Sequence, residues 1–258
     1  MRSEQQFAVG ERSYLDVDVG AGSLQVQTGL TGAVKVTIES PRADEFDVTQ
    51  IGDTVSIREN SRWRSGGRSV RIVVEVPVRT DLTVKAASGD VVLRGSFGGV
   101  RCRTASGDLQ IDEVDRLEVS TASGDVRVVR INGDAGFSTA SGDVTVNSLR
   151  GRLTASLASG DLTADVVGAG MDVGTASGDV TVDRCDGNDI NVKTISGNIR
   201  LGLPAGIRVE PEISTMSGTV SLPGAAAAAA AGDATEPRRT VRVRLRSVSG
   251  DIRIDRAG

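Results

Sequence analysis

Histidine does not occur anywhere in the 258 residues of this sequence. Histidine is the usual general base near neutral pH, the commonest metal ligand, and the partner of serine or cysteine in nucleophilic catalysis. The sequence also has no Gly-Lys-Ser/Thr phosphate loop and no cysteine pair at metal-binding spacing. We therefore predict that the protein is not an enzyme, needs no cofactor and has no metal site.

Aromatic residues are scarce, at 2% of the chain, whereas glycine occurs 32 times. This composition predicts a thin core of Val, Leu, Ile and Ala between closely spaced sheets. The formal net charge of −4 gives no general attraction to nucleic acid. No apolar stretch is long enough for a membrane span or a signal segment. We expect no transmembrane segment and a cytoplasmic location, with surface association by a non-standard route as the alternative.

One motif, Ser-Gly-Asp, organises what is present. It occurs at 88–90, 106–108, 123–125, 141–143, 159–161 and 177–179, and so returns every 17 or 18 residues. The motif continues at wider spacing at Ser196, Ser217 and Ser249, and its aspartate is replaced in the first two of these copies by Asn198 and Thr219. A fixed period of this length is typical of solenoid proteins, in which each repeat forms one coil.

Each period contains two short strands and two turns. Apolar residues occupy the first and third positions after the aspartate, as in a strand with one buried face. These pairs are Val91/Leu93, Leu109/Ile111, Val126/Val128, Val144/Val146, Leu162/Ala164, Val180/Val182, Ile199/Leu201, Val220/Leu222 and Ile252/Ile254. A second set lies four residues before each serine: Val84, Cys102, Val119, Phe137, Ala155, Val173, Val192, Ile213 and Leu245. We predict an all-β fold, a parallel two-sheet β-solenoid of about 18 residues per coil.

Glycine and aspartate build the corners of the coil. Glycine supplies the positive φ of a tight turn, and further glycines mark the second corner: Gly95, Gly133, Gly151, Gly168 and Gly187. Stacking places one aspartate per coil in a row about 5 Å apart. The row comprises Asp90, Asp108, Asp125, Asp143, Asp161 and Asp179. Either a divalent cation neutralises it, or turn amides and neighbouring hydroxyls donate hydrogen bonds to it. We favour hydrogen bonds, because calcium-binding rolls have a denser glycine-rich repeat.

Residues 1–80 do not follow the period and are predicted to form an N-terminal capping section, continuous with the solenoid of residues 81–258. A cap is needed because a first coil would otherwise expose unpaired backbone and apolar core. Its predicted strands are 14–19, 23–27, 34–40, 46–50, 54–58 and 70–76, with turn-linked antiparallel character. Residues 223–237, which include seven consecutive alanines, are predicted to be a mobile Ala/Pro-rich loop.

Two segments are rich in arginine. The loop at 58–68 holds the only tryptophan, and its candidate partner-binding residues are Arg62, Trp63, Arg64 and Arg68. The alternative is that Trp63 covers the capping sheet while the arginines are solvated. The segment 238–246 is predicted to be a strand with alternating arginines. It forms either a basic stripe for phosphate or acidic lipid headgroups, or, as we favour, the solvated face of a terminal coil.

The two cysteines are predicted to be free thiols. Cys102 and Cys185 fall in coils four or five apart, which corresponds to about 20 Å. This separation is beyond disulfide reach, and two free thiols agree with a reducing compartment.

The sequence resembles the bacterial "putative adhesin" β-strand-repeat family of unknown function, the toastrack type. The matching features are residues 74–78 (Val-Glu-Val-Pro-Val), residues 82–84 (Leu-Thr-Val) and the iterated Thr-Ala-Ser-Gly-Asp-Val at 121–126, 139–144 and 175–180. The resemblance implies non-enzymatic interaction and, in some bacteria, an association with membrane and cell-envelope stress systems. It brings no catalytic or metal-binding residues with it.

We therefore predict a non-enzymatic interaction or scaffold module. Its expected partner is a protein or a cell-envelope component, and not nucleic acid. The ends of a solenoid also predict self-association. The alternative is a carbohydrate-active β-helix enzyme or a carbohydrate-binding protein, because carboxylate pairs can perform glycosidic chemistry.

Overall fold

A computed structural model describes residues 2–41, 45–60, 70–222 and 239–257. These residues form 23 strands and no α-helix, so this part of the chain contains no helix that could cross a membrane. The strands are β1 Arg2–Ala8, β2 Tyr14–Ala21, β3 Ser23–Thr28, β4 Ala33–Glu39, β5 Phe46–Ile51, β6 Thr54–Glu59, β7 Arg71–Val76, β8 Asp81–Ser88, β9 Val91–Ser106, β10 Leu109–Ser123, β11 Val126–Ile131, β12 Ala135–Ser141, β13 Val144–Leu149, β14 Leu153–Ser159, β15 Leu162–Val167, β16 Met171–Ser177, β17 Val180–Cys185, β18 Asp189–Ser196, β19 Ile199–Pro204, β20 Arg208–Ser217, β21 Val220–Ser221, β22 Thr240–Ser249 and β23 Ile252–Ala257.

The chain divides into two compact units, Met1–Gly133 (unit 1) and Asp134–Gly258 (unit 2). The predicted division into a capping section at 1–80 and a solenoid at 81–258 stays a prediction. All six strands predicted in the capping section are present, with ends shifted by at most two residues. Strand β1 was not predicted, because its sequence is mostly polar.

Unit 2 shows how one coil stacks on the next. In each coil one strand ends at the serine of the corner and another begins just after the aspartate; we call these the pre-corner and post-corner strands. The pre-corner strands β12, β14, β16 and β18 pair in parallel, and so do the post-corner strands β13, β15, β17 and β19. The register matches the sequence period, since Leu162 faces Val144 and Val180. The predicted parallel two-sheet β-solenoid is therefore confirmed.

The apolar positions of the period form the core. The two residues Val144 and Val146 are 1% and 0% exposed, and Val173 and Val192 on the opposite wall are equally buried. The prediction is wrong for the coil that contains Ser217. There, Val220 and Leu222 are 40% and 49% exposed, and Ile213 is only half-buried. This coil lies at the outer edge of the described part of unit 2, so no described strand covers one side of it.

The corner glycines have the predicted positive φ, with Gly160 at 118° as an example. The glycines of the second corner have a different role. Gly168 and Gly187 do not have positive φ, but a Cβ atom on either would lie 2.6 or 2.1 Å from a backbone oxygen of the preceding coil. Gly95, with φ of 99°, is the exception. The second corner therefore needs glycine mainly because two backbones approach closely.

The last coil of the sequence is not the last coil in space. Strand β22 pairs in parallel with β18 on one side and with β20 on the other. Strand β23 likewise lies between β19 and β21. The prediction that residues 238–246 belong to a terminal coil is therefore wrong, because the segment 240–257 is inserted between coils that precede it in the sequence.

Unit 1 contains a similar insertion at the other end of the sequence. Strand β2 lies in parallel between β6 and β8, and β3 lies between β7 and β9. The antiparallel character predicted for this region belongs to β1, β4 and β5, which pair with β4, β7 and β6 respectively. The coil nearest the N-terminus is thus enclosed on both sides, while antiparallel strands cover the coil outside it.

Candidate functional site

The predicted partner-binding residues Arg62, Trp63, Arg64 and Arg68 lie outside the described residues, and so does the predicted mobile loop at 223–237. They remain sequence-based predictions. The sites that the structure does describe are the aspartate corners, the arginine strand, the two cysteines and the outward faces of the sheets.

Corner carboxylates accept hydrogen bonds from the backbone of the neighbouring coil. In unit 2, Asp143 Oδ1 accepts the Asp161 N–H at 2.9 Å, and Asp161 Oδ1 accepts the Asp179 N–H at 2.8 Å. In unit 1 the same bonds run from the Asp108 N–H to Asp90 at 3.1 Å and from the Asp125 N–H to Asp108 at 3.0 Å. The predicted bonding to turn amides is confirmed. The row is thus a ladder of hydrogen bonds, in which the carboxylate of one coil accepts the N–H of the aspartate at the corner of the next coil.

The three later copies of the motif, at Ser196, Ser217 and Ser249, continue this ladder in the spatial order of the coils. Asn198 takes an aspartate position, and its Oδ1 accepts the Asp251 N–H at 2.9 Å. Asp251 Oδ1 in turn accepts the Thr219 N–H at 2.7 Å. An amide oxygen therefore does the same work as a carboxylate, which shows that the bond does not need the negative charge. No group of three or more Cys, Asp or Glu residues positioned to hold a metal occurs within the described ranges.

We expect Asp143→Asn to change the free energy of unfolding by less than about 1 kcal/mol, because the amide retains the acceptor oxygen. Asp143→Ala leaves the Asp161 N–H without this acceptor and should cost about 1 kcal/mol. Urea unfolding followed by circular dichroism measures both. An Asn variant less stable than the Ala variant would show that the charge matters.

Calcium should have little effect on the stability of the protein. Carboxylates of the row already accept a backbone hydrogen bond, those of Asp90, Asp108, Asp143 and Asp161 among them, and one aspartate per coil gives a sparse set of ligands. Thermal unfolding with and without millimolar calcium tests this expectation. A large rise in melting temperature that disappears when Asp125, Asp143 and Asp161 are replaced would establish a metal-binding row instead.

Two arginines of β22, Arg244 and Arg246, are paired with acidic residues of the neighbouring strands. Arg244 lies 3.9 Å from Asp189 of β18 and 3.8 Å from Glu212 of β20. Arg246 also pairs with Glu212, and this hydrogen bond lowers the pKa of the Glu212 carboxyl. The alternating arginines are therefore the central row of a cross-strand charge network. This arrangement does not favour a basic stripe for phosphate or lipid headgroups.

Both cysteines are free, as predicted, and both are buried. Burial raises the pKa of Cys102 to about 12. Burial, together with the charge of Asp186, raises the pKa of Cys185 to about 11. Because the thiolate is the reactive form, both side chains should be inert in the folded protein.

We expect a thiol reagent at pH 8 to react with neither cysteine in the native protein and with both after denaturation without reductant. The physical reason is the combination of burial and raised pKa. Absorbance of the released reagent counts the thiols. Rapid reaction of the native protein would contradict the burial of Cys102 and Cys185.

The outward face of unit 2 carries small side chains on its first three pre-corner strands. Parallel pairing aligns the outward residues in columns, for example Ser138, Ser156 and Gly174. Eight of the nine outward residues are small and uncharged: Gly136, Ser138 and Ala140 on β12, Thr154, Ser156 and Ala158 on β14, and Gly174 and Ala176 on β16. Asp172 is the ninth. We call this surface the smooth face.

The smooth face contains two glycines that the local fold does not require. Gly136 and Gly174 lie within strands, do not have positive φ, and would have open space around a Cβ atom. Glycine within a strand costs about 0.5–1 kcal/mol relative to alanine. A strand glycine often marks a place where another backbone approaches closely. The pattern of the repeat gave no sign of this face, because outward positions do not affect the core.

The corresponding face of unit 1 is strongly charged. Parallel pairing of β8, β9 and β10 places Lys85 beside Arg103 and Arg101 beside Glu118. Arg101 Nε donates a hydrogen bond to Glu118 Oε2 at 2.7 Å, which lowers the pKa of the Glu118 carboxyl. The two units therefore present outward sheet faces of different chemistry, one charged and one smooth.

This arrangement defines a class of protein: a parallel β-solenoid with short coils, in which the repeated polar residues form the corners. The model of the Toastrack DUF4097 family matches residues 13–183 and again residues 163–255. The chain belongs to this family, as the repeated corner motif indicated.

Solved structures that resemble the chain are distant from it in sequence. A "putative adhesin" from Bacteroides fragilis shares 12% identity, with 98% of this chain and 97% of that chain covered, at a TM-score of 0.43. A "putative lipid binding protein" from Parabacteroides distasonis shares 12%, with 100% and 97% covered, at 0.46. A "putative cell adhesion protein" from Clostridium sporogenes shares 12%, with 99% and 100% covered, at 0.30. No curated protein matches the chain significantly.

Proposed function

We propose that this protein is a non-enzymatic interaction module that presents flat sheet faces to a protein or cell-envelope component. The observation that supports the proposal is the regular register of the pre-corner strands, which holds outward side chains in fixed columns. A surface fixed by continuous backbone pairing loses little conformational entropy when it binds. Small side chains such as Ser138 and Ser156 reduce that loss further.

The smooth face of unit 2 is the part of the surface that we assign to this interaction. Its strand glycines, Gly136 and Gly174, lower the stability of the strands although the local fold does not require glycine there. Close approach of a partner to the backbone at these positions would explain why they are glycines. The family resemblance adds the finer proposal that the partner belongs to a cell-envelope or membrane stress system. The two free thiols, Cys102 and Cys185, support the separate proposal that the module acts from the cytoplasm, because the cytoplasm is a reducing compartment.

Affinity capture from the native cell tests the proposal with a matched pair of variants. Ser156→Arg places a long charged side chain in the middle of the smooth face, between Ser138 and Gly174. Thr163→Arg makes a comparable change on β15, on the post-corner wall of the same coil. We expect partners to be lost by Ser156→Arg and retained by Thr163→Arg. Capture of the same proteins by wild type and Ser156→Arg would contradict the assignment.

A third variant examines the arginine loop predicted from the sequence. Replacing Arg62, Trp63 and Arg64 together by alanine removes its proposed stacking and charged groups. Partners lost from this variant, but retained by Ser156→Arg, would show that the binding site is the arginine loop and not the smooth face.

The rival function is a carbohydrate-active or carbohydrate-binding protein. Glycosidic chemistry needs a pair of carboxyl groups about 5–10 Å apart around the sugar, one of them able to donate a proton. The corner carboxylates Asp143 and Asp161 instead accept backbone hydrogen bonds. Turnover of a polysaccharide by the purified protein, abolished by Asp143→Ala, would replace our proposal with the enzymatic one.

A further inference from the structure

The outermost described coil of unit 2 is open on one side. Among the residues that the structure describes, β20 pairs only with β22 and β21 only with β23. Val220 and Leu222 of this coil are 40% and 49% exposed, whereas Val180 and Val182, at the same repeat positions, are 1% and 0% exposed. The apolar interior of the solenoid is therefore accessible here.

Exposed apolar side chains are concentrated at the same end. Ile195, Val248 and Met216 are 59%, 45% and 85% exposed. The register places them side by side on the outward faces of β18, β22 and β20, which are adjacent strands. Together with the two side chains of the open coil they make five of the ten large apolar residues that are exposed in the described ranges. A cluster of this kind usually marks a contact surface.

Charge does not protect the edge strand. Acidic side chains on an exposed edge can prevent a second strand from pairing with it. Here Glu210 and Glu212 of β20 face Arg242 and Arg244 of β22. Glu212 is also paired with Arg246. Glu212 is therefore compensated within the same sheet, Glu210 has Arg242 at the paired position, and the edge does not carry a uniform charge.

The backbone of β20 is suited to pairing except at one position. The Arg208 N–H donates to Arg239 O on the β22 side. Because alternate residues of a strand bond to opposite neighbours, the N–H groups of Val209, Ile213 and Thr215 face the open edge. Pro211 belongs to the same alternate set and has no N–H. The edge can thus accept a strand, but it lacks one donor near its middle.

We propose that the open coil formed by β20 and β21 docks on the same coil of a second copy of this chain, related by a twofold axis. β20 would lie antiparallel to β20 of the other copy, and β21 to its counterpart. The open coil exposes one edge strand in each of its two sheets, β20 and β21, with apolar positions between them. The end of a second solenoid covers both edge strands and these apolar positions, whereas a single extended peptide covers only one edge strand. A twofold contact uses the same surface on both copies, so the assembly stops at a dimer. Because Pro211 has no N–H to donate at the open edge, the dimer is weak.

Sedimentation velocity of the full chain over a range of concentrations tests this proposal. We expect wild type to show a reversible monomer–dimer equilibrium. Pro211→Thr restores the missing donor and should lower the dissociation constant by about tenfold or more. Leu222→Asp and, independently, Val220→Asp should weaken the dimer at least as much, because each places a charge among the apolar positions that the docking covers. Circular dichroism checks that the variants are folded.

Two substitutions serve as controls. Pro204→Thr changes a proline of β19, which is paired with β23 and does not lie at the open edge. Ile51→Asp changes an apolar residue of unit 1 that is 82% exposed. Neither should alter the dissociation constant. The proposal is overturned if wild type and Pro211→Thr are both monomeric at every concentration. Assemblies that grow without limit would also overturn it, because they indicate head-to-tail contacts in place of a twofold dimer.

Discussion

Gly160→Ala is expected to destabilise the protein by about 3–5 kcal/mol, a large part of the roughly 5–15 kcal/mol by which folded proteins are usually stable. Gly160 has a φ of 118°, a conformation that alanine adopts only with strain. Its Cβ atom would also lie 2.3 Å from the backbone oxygen of Gly142 in the adjacent coil. The backbone of one of the two corners would have to move. Thermal and urea unfolding measure the loss.

Gly174→Ala is the matched control for this prediction. Gly174 lies in β16 of the same unit and does not have positive φ, and a Cβ atom added there would have no neighbouring atom within 4 Å. Alanine there should stabilise the protein by about 0.5–1 kcal/mol, because it reduces the conformational freedom of the unfolded chain. Equal effects of the two substitutions would show that the corner stacking described for Gly160 is wrong.

Val180→Ala should lower the free energy of unfolding by about 2–3 kcal/mol, whereas Val220→Ala should lower it by less than about 1 kcal/mol. The two valines occupy the same position of the repeat, directly after the corner. Val180 is 1% exposed and lies between two coils, so its truncation leaves a cavity. Val220 is 40% exposed and lies on the open coil, so its methyl groups already contact solvent.

Denaturant midpoints of Val180→Ala and Val220→Ala, measured beside wild type, test this difference in stability loss. The measurement should be made at low protein concentration, because docking of a second copy on the open coil would add to the effect at Val220. A loss at Val220 as large as that at Val180 under these conditions would mean that the open coil is covered.

Much of the fold could be predicted from local patterns. The alternation after each aspartate is a property of a few consecutive residues, and it predicted the buried face of every post-corner strand except that at Val220. The corner glycines were equally predictable, because a tight turn requires positive φ wherever it occurs. The reason for the second-corner glycines was not predictable in this way, since the close approach at Gly187 involves a residue of another coil.

The candidate sites were predictable to different degrees. Hydrogen bonding of the aspartate row followed from turn chemistry and is observed at Asp143 and Asp161. The smooth face was missed, because its glycines carry no turn signal and its outward positions are unconstrained by the core. The acidic partners of the arginine strand were missed as well, since Asp189 and Glu212 lie in strands far from Arg244 in the sequence.

Local sequence was enough to define the strands, the corners, the period and the parallel β-solenoid, because each coil repeats the same short-range interactions. The identity of neighbouring coils, in contrast, is a property of the folded chain. Strand β22 fits between β18 and β20 because every coil presents the same backbone edges and the same apolar positions, so the order along the chain does not dictate the order in space. That placement leaves Met216 and Val220 exposed and puts Arg244 between two acids. The long separation between Ser217 and Ser249 permits the insertion, since lengthening a loop adds little entropic cost.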